Sequence, residues 1–381
     1  MGSEMCIRDR TTHVPRYLTD QIRSDLERKM VFVSGPRQVG KTTLARAILQ
    51  DPAGYLNWDI PEHRDAILRG RLPVTGMLAF DELHKFHGWR GWLKGLYDRQ
   101  DGVRILVTGS GRLDYYRHGG DSLQGRYHHL RLHPLSVAEL SISDTDGLRR
   151  LLDLGGFPEP WLSGSVDGAR RWSREYRTRL VEDDIRGLER VGDLGALETL
   201  VIRLTDLVGA PLSVNALRED LGVSHRTVSR WLDILERLYA IVRLPPFGAP
   251  RVRAIRKSQK HYHYDWVQVH DTAARFENLV AMHLLKWVHR EQDVRGRDVE
   301  LRYFRDVDGR EVDFVLTDRR SPTHLIEVKW SDRPVDKSLR YLHARFPDAA
   351  AIQLSATGSD DYRTPDGIRV QPALSYLQSL P

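Results

Sequence analysis

With a single cysteine, Cys6, in 381 residues, the chain can form neither an intrachain disulfide nor a zinc site of several thiolates, and it suits a reducing compartment. It also has no uninterrupted apolar run of membrane-spanning length and no apolar stretch ahead of a small-residue cleavage site. The expectation is a cytoplasmic protein without a membrane anchor. Low-complexity tracts and repeats of solenoid or propeller period are missing too. The first ten residues are set apart, because Glu4 to Asp9 (EMCIRD) reads as a translated sequencing-adapter end. Residues 1–10 are expected to be an artefact with no part in the fold.

What is present is an ordinary globular composition, 40% hydrophobic and 29% charged. The length exceeds what one core organises, so two or three domains are expected. Fifty-eight basic residues against 52 acidic ones leave a formal charge of +6, a balance that favours a polyanionic partner.

The densest signal lies near the N-terminus. A β-branched run from Val31 to Ser34 meets Gly35-Pro36-Arg37-Gln38-Val39-Gly40-Lys41-Thr42, followed by Thr43 and a helical stretch to Leu49. This is G-x-x-x-x-G-K-[ST] between a strand and a helix, the context that marks a phosphate loop. Glycines let backbone N–H groups turn onto the phosphates of ATP, Lys41 reaches the β and γ phosphates, and Thr42 is a ligand for Mg²⁺. A second apolar run, Met77 to Phe80, ends in Asp81-Glu82. The two acids suit different oxygens: Asp81 the Mg²⁺ shell, Glu82 the attacking water. A third run, Arg104 to Thr108, ends beside the expected γ-phosphate position, where Thr108 or Ser110 can sense it, with Ser110 preferred. Tyr127 to Leu132 is expected to close a doubly wound, mostly parallel sheet.

The segments GPRQVGKT, LAFDELHKFHGWRGWLKGLYD, ILVTGS and GRYHHLRLHPLSVAEL resemble the bacterial and archaeal AAA-type ATPases that carry a C-terminal domain of uncharacterised function. The resemblance spans nearly everything after residue 12. It implies an oligomer, such as a ring, with sites at subunit interfaces, and it implies an arginine finger just before the last core strand. Arg126 occupies that place, with Arg112 as rival.

Beyond the ATPase core (residues 11–140), Leu- and Arg-rich helical spacing over 141–210, broken at Gly155-Gly156-Phe157-Pro158, is expected to form a lid. Residues 211–258 read as helix, Gly222 turn, helix and short strands, a winged helix-turn-helix. Its second helix turns His225, Arg226, Thr227, Ser229 and Arg230 outward, which suits DNA contacts. The basic run Arg251, Arg253, Arg256, Lys257 and Lys260 adds a phosphate-binding term, and a protein-docking role for the module stands as the alternative. Over 259–381 the order is helix, three strands, helix, strand, with Glu277 on the helix, Asp313 on the second strand and Glu327-Val328-Lys329 on the third. Period-2 alternation gathers these charges on one side, as in the restriction-endonuclease-like PD-(D/E)xK core, where the carboxylates hold Mg²⁺ and the lysine orients water. A buried ion pair without chemistry is the competing reading. His261 and His263 are expected to line one sheet face rather than bind a metal.

Overall fold

The computed structural model describes residues 14–99, 102–109, 123–185, 193–248 and 259–381, apart from the side chains of Asp183 and Asp184. Cys6, Ser110, Arg112, Arg251, Arg253, Arg256 and Lys257 therefore lie outside the described residues.

The N-terminal part alternates α1 (Thr19–Leu26), β1 (Met30–Ser34), α2 (Lys41–Ile48), β2 (Tyr55–Asn57), α3 (Pro61–Leu68), β3 (Met77–Asp81), α4 (Trp89–Asp98), β4 (Arg104–Thr108) and β5 (Tyr127–Arg131). These strands make an all-parallel sheet in the order β2-β3-β4-β1-β5. Every residue of β1 and β3 is buried, because helices cover both faces of a parallel sheet. In β1, Val31 and Val33 enter one core while Met30 and Phe32 enter another. Parallel strands deliver their carboxyl ends to one edge, which gathers the phosphate loop, Asp81 and Thr108. Strand β5 closes the sheet beside β1, as expected. Strand β2 has only three residues, too few for a periodic signal, and the sequence reading does not contain it.

Next come α5 (Thr145–Leu154), α6 (Pro158–Ser163), α7 (Val166–Arg179), a π-helical turn (Leu180–Ile185) and α8 (Leu194–Asp206). The break after α5 follows from Gly155, at φ +81, and from Pro158, which opens α6 where a missing N–H costs nothing. Strand β6 (Pro211–Leu212) leads into α9 (Val214–Leu221), which ends at Gly222, and α10 (His225–Arg237), capped by Ser224. Strands β7 (Ile241–Leu244) and β8 (Gln259–His263) follow, forming an antiparallel sheet in the order β6-β8-β7. The expected boundary at residue 259 cuts through this sheet: β8 pairs with β6 and β7, not with the C-terminal strands.

The C-terminal part comprises α11 (Thr272–Arg295), β9 (Val299–Arg305), β10 (Glu311–Asp318), β11 (Ser321–Lys329), α12 (Lys337–Arg345), β12 (Ala350–Ser355), β13 (Tyr362–Arg363), β14 (Arg369–Pro372) and α13 (Ala373–Gln378). Its sheet runs β13-β14-β12-β11-β10-β9. Helix α11 runs on to Arg295, until Gly296 stops it at φ +64. One apolar core joins Val31 and Val33 of the first sheet to Leu279 and Leu284 of α11 and to Phe314 and Ile326 of the last. Arg131 of β5 also grips Asp293 of α11, with Nη2 2.6 Å from the carboxylate. The expected units thus share a continuous interior. Among the described residues, no helix is long and apolar enough to cross a membrane.

Candidate nucleotide site

The chain from Gly35 to Thr42 takes up backbone conformations that side chains resist. Gly35 has φ +145, and a Cβ there would sit 2.3 Å from the carbonyl oxygen of Leu132, so any larger residue is excluded. Gly40, at φ +99, turns the chain into the N-terminus of α2, where the first N–H groups have no partner within the helix and the positive dipole end faces the loop. Lys41 is buried, and its ammonium donates to the carbonyls of Gly35 (3.0 Å) and Pro36 (2.5 Å). Arg16 braces the loop from behind, donating to Val39 O at 2.7 Å and to Glu139 Oε1 at 2.9 Å.

Asp81 is the hub of the acidic side. Its Oδ2 accepts from Thr42 Oγ1 at 2.6 Å and from Tyr55 OH at 2.7 Å, while Oδ1 accepts from Thr108 Oγ1 at 2.6 Å. The strand registers Asn57↔Asp81 and Asp81↔Thr108 place these groups side by side. A hydroxyl and a carboxylate in direct contact beside a phosphate loop form an oxygen donor pair that fits Mg²⁺. Thr42 and Asp81 would hold the ion, which would bridge phosphate oxygens and offset their charge. Of the two residues considered as sensors, the described one, Thr108, is committed to Asp81.

Glu82 follows at φ +56, a left-handed conformation that costs a non-glycine residue about 1–3 kcal/mol and tends to persist where function holds it. Its N–H is fixed on Thr108 O at 3.1 Å. The carboxylate is partly exposed, 3.3 Å from Lys85 Nζ and 3.6 Å from His84 Nε2. A cavity of about 570 Å³ is lined by Arg37, Gln38, Lys41, Asp81 and Glu82 and closed on its far side by Pro158, Glu159 and Leu162 of α6. The helical segment expected to act as a lid therefore contributes walls to the site.

Tyr55, Arg16 and the α6 residues were not singled out from the sequence. Burial pushes the Tyr55 phenol up to about 12, with the charge of Asp81 adding to the effect, so Tyr55 stays a donor to Asp81 at any physiological pH. Arg46 lies over its ring, 4.3 Å from the centroid. Tyr55→Phe is expected to lower the melting temperature and to raise the Mg²⁺ concentration for half-maximal turnover about tenfold, as loss of an orienting partner does at metal sites. Unchanged melting and an unchanged Mg²⁺ titration would remove Tyr55 from the site.

Arg126 stands at the other end of β5, where its backbone carbonyl accepts from Met30 N and its guanidinium pairs with Asp98 at 2.9 Å. It is at the edge of the sheet opposite the phosphate loop of its own chain. On α10, His225, Arg226 and Arg230 are exposed and Thr227 is half-buried, whereas Val228, Trp231, Leu232 and Leu235 pack inward.

In the C-terminal part Glu277, Asp313, Glu327 and Lys329 do meet. Val328 N donates to Asp313 Oδ2 at 2.9 Å, and Lys329 Nζ lies 2.6 Å from Glu327 Oε1 and 3.0 Å from Asp336. Burial, with the charge of Asp313, holds Glu277 up at about 8, and burial raises Asp313 and Glu327 as well. One expectation is corrected. Lys260, placed with the phosphate-binding basic run, is 1% exposed and sits among these carboxylates, 2.6 Å from Glu311 and 3.6 Å from both Glu277 and Asp313. Alternation along β8 is the reason: Lys260 and Tyr262 face the C-terminal sheet, and His261 and His263 face the other way. Tyr262 OH donates to Glu277 at 2.7 Å, and both histidines are buried, with His261 Nε2 on Leu204 O at 2.8 Å. Among the described residues, no group of three or more His, Cys, Asp or Glu side chains is arranged to hold a metal ion. The carboxylates around Lys260 do not fit Mg²⁺ as they stand.

Comparison with known proteins matches residues 27–141 to a family model described as an AAA domain. Residues 145–270 and 273–376 match two domains of unknown function (DUF8612 and DUF4143). Uncharacterized proteins of Mycobacterium bovis and Mycobacterium tuberculosis are each 28% identical over 247 residues, 63% of this chain and 55% of theirs. The chain thus spans about half the length of the curated relatives it matches. Two solved structures superpose loosely. The Aeropyrum pernix ORC1 protein in complex with DNA has TM-score 0.34 at 16% identity, covering 72% of this chain and 95% of that one. A signal transduction ATPase with numerous domains (STAND) and a tetratricopeptide repeat sensor, from Pyrococcus horikoshii, has TM-score 0.29 at 14% identity, covering 74% and 48%. Residues 27–141, with their parallel sheet and their loop GPRQVGKT, are thus similar to an AAA domain and resemble a P-loop ATPase fold.

Proposed function

We propose that the chain hydrolyses ATP with Mg²⁺ and couples turnover to DNA binding or remodelling as a cytoplasmic homo-oligomer. The observation that carries the hydrolytic part is the contact of Thr42 with Asp81 at 2.6 Å, with Lys41 on one side and Glu82 on the other. In this reading the loop N–H groups and Lys41 bind the phosphates, and Thr42 and Asp81 orient the ion. Glu82 takes a proton from the attacking water as its oxygen adds to the γ phosphorus and ADP leaves. Arg126 would serve a neighbouring copy, freed from Asp98 when subunits assemble.

The DNA part rests on α9 and α10 as a winged helix-turn-helix whose outward residues His225, Arg226, Thr227 and Arg230 meet phosphates and base edges. Its test is ATP turnover with and without duplex, single-stranded and branched DNA, repeated with Arg226→Ala and Arg230→Ala. The expected result is stimulation by one DNA form, with each substitution weakening DNA binding and lowering the slope of log affinity against log salt by about 1. Turnover indifferent to every DNA would replace this reading with a nucleotide-gated scaffold that binds protein partners through the same module. A restriction-endonuclease-like fold for the C-terminal part, with ATP as a switch on DNA cleavage, is the second reading. It draws on the meeting of Glu277, Asp313, Glu327 and Lys329 on adjacent elements, and it requires Lys260 to leave the carboxylates, which do not fit Mg²⁺ while it lies among them.

A further inference from the structure

Four carboxylates, Glu277, Glu311, Asp313 and Glu327, converge where α11, β10 and β11 meet, and two ammonium groups lie among them. Lys329 serves Glu327 and Asp336. Lys260 serves the other three, its Nζ 2.6 Å from Glu311 Oε1 and 3.6 Å from Glu277 Oε1 and from Asp313 Oδ1. Oxygens that a divalent cation would use already have donors. Glu277 Oε1 accepts from Tyr262 OH, Asp313 Oδ2 from Val328 N, and Glu327 Oε1 from Lys329. Lys260 comes from outside the C-terminal sheet, and its backbone is set by pairing with Pro211 of β6 and Leu244 of β7. The approach is close: a Cβ on Gly209, just before β6, would lie 2.9 Å from Glu277 Oε1.

We propose that Lys260 is the resident cation of this carboxylate group and that it shuts out a divalent metal, making the group an ion-paired junction between the β6-β8-β7 sheet and the C-terminal sheet. The inference goes beyond the ATPase reading and does not depend on it. An ammonium among three carboxylates offsets part of their charge without the oxygen contacts of about 2 Å that a magnesium ion demands. A metal can enter only if the Lys260 ammonium leaves the three carboxylates. The carboxylates are partly open to solvent, with Glu277 21% and Glu311 28% exposed, so a metal in solution has a path to them.

The test is Mn²⁺ binding to the full chain without nucleotide, followed by calorimetry and by thermal melting, in wild type, Asp313→Asn, Lys260→Met and the double variant. Expected is the same Mn²⁺ binding in wild type and Asp313→Asn. Lys260→Met should bind one further Mn²⁺ per chain and gain melting temperature with added metal, as ligand linkage requires. The double variant should lose both gains. Wild-type binding that disappears with Asp313→Asn overturns the proposal, because the metal would then enter beside Lys260. So does a folded Lys260→Met chain, judged by circular dichroism, that gains no Mn²⁺. If Lys260→Met does not fold, the wild-type and Asp313→Asn pair still decides, equal binding supporting the proposal and unequal binding overturning it.

Discussion

Replacing Glu82 by glutamine is expected to cut ATP turnover by roughly 10²–10⁴-fold while leaving Mg²⁺-ATP binding intact. The amide keeps the size and most of the hydrogen bonding of the carboxylate but cannot take a proton from water. Its charge has two ionic neighbours among the described residues, Lys85 and His84. The side chain is partly exposed, and its ionic neighbour Lys85 also holds Asp59 at 2.5 Å. The left-handed backbone at φ +56 is as accessible to glutamine as to glutamate. Single-turnover mixing with labelled ATP separates the two quantities. Retained binding with slow cleavage assigns Glu82 to the water, whereas lost binding assigns it to the structure of the loop. Turnover close to wild type would take the base away from Glu82 altogether.

Lys41→Ala carries the other large effect. The ammonium is buried and bonded to the carbonyls of Gly35 and Pro36, so its removal deletes a buried side-chain cation from the lining of the cavity. Loss of preorganised charge stabilisation of this kind costs roughly 10²–10³-fold in rate, and affinity for ATP should fall with it, since the same contact exists in the ground state. A control is needed for the fold, because Lys41 also ties the loop to itself. Circular dichroism and melting of the nucleotide-free variant should match wild type closely, the sheet and α2 being held by the apolar residues Val33, Val39, Leu44 and Ala45. A variant that folds, binds ATP normally and turns it over at the wild-type rate would contradict the assignment.

The parts of this site that could be read from the sequence are those whose chemistry is local. In GPRQVGKT, the glycine positions and the strand-helix context define the loop geometry without reference to the rest of the chain, and four apolar residues ending in Asp81-Glu82 announce a buried strand that delivers acids to an edge. Tyr55 gave no such signal. Its strand has three residues, and its role exists only because β2 lies beside β3 in register. Pro158 was read as part of the break that starts at Gly155, and Leu162 fell within the helical stretch after it, yet their place beside the phosphate loop comes from tertiary packing.

Lys260 is the instructive error. Its neighbours in sequence are basic, and grouping it with Arg251, Arg253, Arg256 and Lys257 treated proximity along the chain as proximity in space. The alternation Lys260, His261, Tyr262, His263 held a usable signal: on a strand with both faces covered, a lysine facing inward must find carboxylates. Glu277, Glu311 and Asp313 were the unmatched acids in reach. The C-terminal elements from α11 to β12 were read in order, whereas β13, β14 and α13, all short, were not, and caps such as Asp271 and Gly296 set the ends of α11.

The central claim is hydrolysis at the phosphate loop, and phosphate release from ATP by the purified chain tests it most directly, measured with Mg²⁺, with EDTA in its place, and with Lys41→Ala. The account predicts turnover that requires Mg²⁺ and falls by roughly 10²–10³-fold with Lys41→Ala. Turnover that stays at the wild-type rate after either change, or wild-type protein that binds Mg²⁺-ATP and never cleaves it, would contradict that claim.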